Sequence, residues 1–137
     1  MRLYKSISFI LIVLFAATGI IFLTIPDKVL ILFNTFSGFL GLQSSPLVGW
    51  NFYLILAVVY MYLVTVLAFL MLKHPDNHYF PTFLIHAKLA SSILSLAFFL
   101  LHAHYLVYLA NFIVDGVIGV IVLGMYMMMR RRVWAYS

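Results

Sequence analysis

The chain has 137 residues, 66% hydrophobic and 8% charged, with a net charge of +5 and no cysteine. Soluble domains carry about 25% charged residues, so eight basic and three acidic side chains cannot clothe a water-facing globule, and lipid must be the main solvent. The missing cysteine excludes disulfides, thiolate metal sites and cysteine nucleophiles, and the length allows a single domain. The basic residues gather at the ends of apolar runs rather than along one face, which is a topological signal and excludes nucleic acid as a partner.

Four runs, at about 6–25, 50–72, 81–101 and 106–129, reach the ~20 apolar residues needed to cross ~30 Å of hydrocarbon. Backbone polar groups in hydrocarbon must bond within their own segment, so the runs are predicted helices. A β-barrel would need alternating polar and apolar positions, and these runs do not alternate. The first run follows Arg2 and Lys5 as a signal peptide would. Its apolar stretch of about 19 residues is longer than a usual signal core and lacks a clean cleavage site, so it is read as a retained span.

Between the first two runs lies PDKVLILFNTFSGFLGLQSSPLVG. Pro26 suits a first helical turn, with Thr24 as a possible cap. On a helical wheel Asp27, Lys28, Asn34, Thr35, Ser37, Gly38 and Gly41 share about half the circle. Residues about 27–42 are therefore expected to form an amphipathic helix in the outer interface, or one packed on the bundle. The stretch 41–49 is the turn into the second span. With both termini inside, Arg2, Lys5, Lys73, Arg130, Arg131 and Arg132 all lie on the cytoplasmic side and Lys28 lies outside, a strong positive-inside bias.

The third run interrupts its apolar character with HAKLASSILS, residues 86–95. Lys88, Ser91, Ser92 and Ser95 are spaced i, i+3, i+4, i+7 and share one helix face; Asn111, Asp115 and Gly119 do the same on the fourth run. At 1.5 Å per residue, Ser92 lies roughly 16 Å above Pro81 and Asp115 about 13 Å below Leu106, which brings them to similar depth in a ~30 Å core. Lys88 lies one turn lower and can rise toward Asp115. The short loop makes the two spans antiparallel neighbours, so the stripes can meet. Intramembrane ionisable residues often mark ligand or proton pathways, and on that reading Lys88, Ser91, Ser92, Ser95, Asn111 and Asp115 line a pocket. The competing readings are an ion pair that fixes register and a Lys88 that snorkels to the headgroups.

Five histidines raise the question of haem or another metal. His86 and the outer pair His102 and His104 are separated by roughly 24 Å along one helix, and the other runs contain no histidine. The chain alone cannot build a bis-histidine haem site within the bundle; a haem b would need a ligand from a partner or from a second copy. His74, Asp76, His78 and His86 could gather at the inner surface, but their spacing is no specific metal signature, and Pro75, Asp76 and Asn77 already account for a turn. Aromatic residues including Trp50, Phe52, Tyr53, Tyr79, Phe80, Tyr105, Tyr108, Trp134 and Tyr136 crowd the expected interfaces as an aromatic belt. Tyr60, Tyr62 and Thr65 lie deeper and could join the pocket. Gly116, Gly119 and Gly124 offer close helix contact.

In span number, length and topology the chain resembles small four-helix bacterial membrane proteins, the DoxX-like group among them; the likeness carries no motif residue across. The expected fold is all-α, a polytopic integral membrane protein with a four-transmembrane-helix bundle and one interfacial amphipathic helix. The expected location is a bacterial-type cell membrane, multi-pass, with both termini cytoplasmic. No catalytic constellation is evident, so the leading expectation is a non-enzymatic accessory subunit, without a cofactor of its own, that packs against partner membrane proteins or itself. The alternatives are a proton or small-ligand module built on Lys88 and Asp115, and a subunit lending a haem ligand at an interface.

Overall fold

The computed structural model describes residues 2–47 and 51–134. It contains five helices: α1 (Arg2–Thr24), α2 (Pro26–Phe39), α3 (Asn51–Lys73), α4 (Tyr79–Leu101) and α5 (Leu106–Trp134). Among the described residues there is no strand, only an isolated bridge between Gln43 and Tyr105. Helices α1, α3, α4 and α5 are each long and apolar enough to cross a membrane; a 23-residue helix spans about 35 Å. The protein is a multi-pass membrane protein built as a four-helix bundle with one short additional helix. Trp50 and Tyr136 lie outside the described residues.

Each spanning helix turns a narrow stripe inward. The buried positions of α1 are Tyr4, Ser8, Leu11 and Phe15, and those of α4 include Pro81, Leu84, Ile85, Lys88 and Ser92. On α3 they are Val64, Ala68 and Met71, and on α5 Asp115, Ile118, Gly119, Val122 and Met125. Steps of three and four residues keep a stripe on one helix face, as in a coiled-coil seam. The remaining circumference is apolar and outward: Phe9, Ile55, Phe83, Ile93 and Val120 are all exposed. In water such a surface would aggregate; in hydrocarbon it is matched to its solvent.

The packing is uneven. Helix α1 lies closely against α3 and α4 against α5, while the seam between α3 and α4 is much lighter. The buried apolar residues come from the parts of the four helices nearest the chain termini and the 74–78 turn. Toward the opposite end the α3–α4 seam opens.

Helix α2 packs on α5 and α1. Pro26 starts it, where a missing N–H costs nothing. Gly41 ends it at φ 68°, with Leu42 N–H donating to the Ser37 carbonyl at 2.9 Å; this six-residue closure needs a left-handed residue, which glycine adopts without strain. Its inward face is not purely apolar. Ser37 is buried, and Asn34 binds Ser45 twice, accepting from its N–H at 2.7 Å and donating to its carbonyl at 2.8 Å. The polar half-circle read from the wheel is thus divided. Asp27, Lys28, Thr35 and Gly38 are exposed, while Asn34 and Ser37 are turned inward, because the following loop folds back and offers backbone partners.

Candidate functional site

The stripes on α4 and α5 meet. Lys88 Nζ donates to Asp115 Oδ1 at 2.7 Å, with side chains only 1% and 3% exposed. It is the only ion pair among the described residues. The Lys88 ammonium also lies 4.6 Å from the Phe15 ring centroid and 4.9 Å from that of Tyr60, so α1 and α3 each present an aromatic face to the charge. Ring faces carry negative potential and stabilise a desolvated cation. Lys88 therefore does not snorkel to the membrane surface.

The serines have separate tasks. Ser92 Oγ donates to the Phe112 carbonyl at 2.8 Å, a direct link between α4 and α5. Asn111 Nδ2 donates to both Ser91 Oγ at 3.0 Å and Ser95 Oγ at 2.7 Å, bridging one turn of the opposite helix. Gly116 makes this approach possible: a Cβ there would stand 2.9 Å from Ser92 Oγ. All six residues of the polar stripe are thus brought together. Asp115 Oδ2 is buried with no hydrogen-bond partner, as are Tyr4 Oη and Ser8 Oγ.

Beside this cluster the open α3–α4 seam forms a groove of about 760 Å³, within the ~300–1,000 Å³ of ordinary small-molecule sites. Tyr53, Tyr60, Ser91, Ser95 and Tyr108 contribute hydroxyl-bearing side chains; Ala87, Leu94 and Phe98 contribute apolar and aromatic wall. Tyr60 faces both regions, since its hydroxyl donates to the Ala87 carbonyl at 3.2 Å while its ring covers Lys88. The ion pair is sealed, and the part of the stripe a ligand can reach is Ser91 with Ser95.

Of the deeper polar residues of α3, only Tyr60 joins the cluster. Tyr62 is exposed, and Thr65 Oγ1 donates to the Met61 carbonyl of its own helix at 2.7 Å, which satisfies the hydroxyl locally. Phe15 was not legible as a site residue. Its spacing with Leu11 marks a buried face of α1, but not which partner that face meets.

The histidines stay apart. His86 is exposed, with Nδ1 2.8 Å from the Thr82 carbonyl one turn back. His102 packs on Phe98 and His104 on Phe99 at the far end of α4, while His74 and His78 flank the opposite turn beside Phe80 and Tyr79. Among the described residues no three His, Cys, Asp or Glu side chains come together in a way that could hold a metal ion. Asn77 instead closes the turn that leads into α4, its side-chain oxygen accepting from the Tyr79 N–H at 2.9 Å.

The chain matches no family model, no curated protein and no solved structure. Its functional reading therefore rests on geometry.

Proposed function

We propose that this protein is a non-catalytic binding module of the cell membrane, with both termini cytoplasmic, that holds a lipid-soluble amphipathic molecule in the groove between α3 and α4. The observation that carries the reading is the groove itself: about 760 Å³, walled by aromatic rings, with Ser91, Ser95, Tyr60 and Tyr108 along it. A site of mostly apolar wall with a few placed polar groups is the usual build of a small-molecule pocket. The Ser91 and Ser95 hydroxyls accept from Asn111 and can still donate, which suits a ligand with oxygen acceptors, and the rings suit a flat headgroup of quinone type. On this reading the Lys88–Asp115 pair holds α4 against α5 and keeps the serines and Asn111 in register.

A gently extracted sample tests this. The organic extract of the purified protein, examined by mass spectrometry, should contain one small molecule in near-stoichiometric amount, and Ser95→Phe, which fills the groove, should lose it. Absence of any such molecule from the unaltered protein, or equal retention by the filled variant, would sink the reading.

A second reading, an accessory subunit packing against other membrane proteins, is favoured by α5. A Cβ at Gly124 would meet nothing within 4 Å, so this outward position admits another helix backbone closely. Stoichiometric partner subunits in the same extract, lost on Gly124→Leu, would support it, and a Soret band in that complex would point to a shared haem.

A further inference from the structure

A second cavity, of about 450 Å³, lies at the other end of the bundle, where the 74–78 turn meets α1 and α5. We propose that it binds the headgroup of a zwitterionic phospholipid bearing a primary ammonium, the phosphoethanolamine type, independently of the groove. Arg130 and Asp76 both line this cavity, yet they form no ion pair with each other or with any described residue. Opposite charges around one cavity that do not neutralise each other leave room for a ligand carrying both signs. Arg130 can bind a phosphate through two parallel N–H bonds, and Asp76 can accept from an ammonium.

The neighbours fit the same ligand. His78 and Asn77 also line the cavity. The Asn77 carbonyl oxygen is engaged by Tyr79 N–H, which leaves its amide N–H groups as donors for phosphate oxygens. Tyr4 lines the cavity too, and it is 3% exposed with a hydroxyl that has no hydrogen-bond partner. A buried hydroxyl without a partner is costly, and a phosphate oxygen or a water held by it would satisfy this one. Tyr126 and Met129 complete an apolar side against which the start of an acyl chain can lie. The cavity sits at the ends of spanning helices, the depth at which headgroups are found. Asp76 argues against a purely anionic lipid, which it would repel.

The test uses the full chain in nanodiscs of defined lipid, followed by native mass spectrometry of retained lipid. Discs hold equal parts phosphatidylethanolamine, phosphatidylcholine and phosphatidylglycerol. Phosphatidylethanolamine should be retained preferentially, because the choline headgroup cannot donate a hydrogen bond to Asp76 and glycerol brings no cation. Arg130→Gln should reduce retention of phosphatidylethanolamine about tenfold, as expected for loss of a charge-assisted contact. Asp76→Asn should abolish the preference over phosphatidylglycerol while leaving some phospholipid bound. Both side chains are exposed, so these variants should fold, and an unchanged melting temperature in detergent checks that they do. Tyr4→Phe should weaken retention about threefold, the size of one neutral hydrogen bond. Soluble phosphoethanolamine should not displace the lipid at millimolar concentration. Unselective retention, retention unaffected by Arg130→Gln, or efficient displacement by the soluble headgroup would each overturn the proposal. The groove does not enter this test, since Ser95→Phe should leave lipid selectivity unchanged.

Discussion

Lys88 is the residue on which the bundle turns. Its charge is out of water, and a single acceptor oxygen and two ring faces surround it. Breaking a buried pair strands the surviving charge, at a cost of about 3–5 kcal/mol, whereas replacing both partners with apolar groups is often neutral or stabilising. Lys88→Met and Asp115→Leu alone should each lower the detergent melting temperature sharply, and the double variant should recover most of the loss. Recovery would identify the pair as structural; a stable Lys88→Met protein that had lost groove ligand would give Lys88 a direct part in binding. The pairing itself was legible from residue spacing, because rise per residue sets depth and a short loop makes neighbours. The aromatic cover was not. Which way Phe15 points depends on the rotation of α1 about its axis, and an almost wholly apolar helix carries no polar side to reveal it.

At the scale of elements, glycines set how closely helices approach. Gly116 stands against Ser92, and its replacement would push a hydroxyl that is already bonded to Phe112. Gly116→Ala should therefore cost about 1–3 kcal/mol, the usual penalty for overpacking. Gly124→Ala meets open space and should leave stability unchanged or raise it by up to about 1 kcal/mol through better helix propensity. Thermal unfolding of both variants checks the contrast; equal losses would mean that backbone flexibility and not contact distance matters. The sequence marked all three glycines of α5 alike as places for close contact, and only the distances separate them. Helix α2 teaches the same lesson. Its existence was readable, although it ends at Phe39 rather than at about residue 42, and the inward turn of Asn34 depends on where Ser45 lands, eleven residues later along the chain.

At the scale of the whole molecule, the positive-inside pattern makes a direct prediction. The chain has no cysteine, so single cysteines report position without background. Ser44→Cys should react with an impermeant maleimide on intact cells, and Asn77→Cys only after permeabilisation. Reversed labelling would invert the orientation, and labelling of both from one side would break the four-span topology. The membrane class, the four spans and the polar stripe followed from the sequence alone, since hydrocarbon imposes length, apolarity and helical bonding on each segment separately. Where the bundle is tight and where it opens was decided only by the tertiary structure. Apolar faces are equally content against lipid or against each other, so hydropathy does not say which helices touch. The groove beside Ser91 and Ser95 and the cavity between Asp76 and Arg130 exist because of how the helices are rotated and paired, and no single span records that.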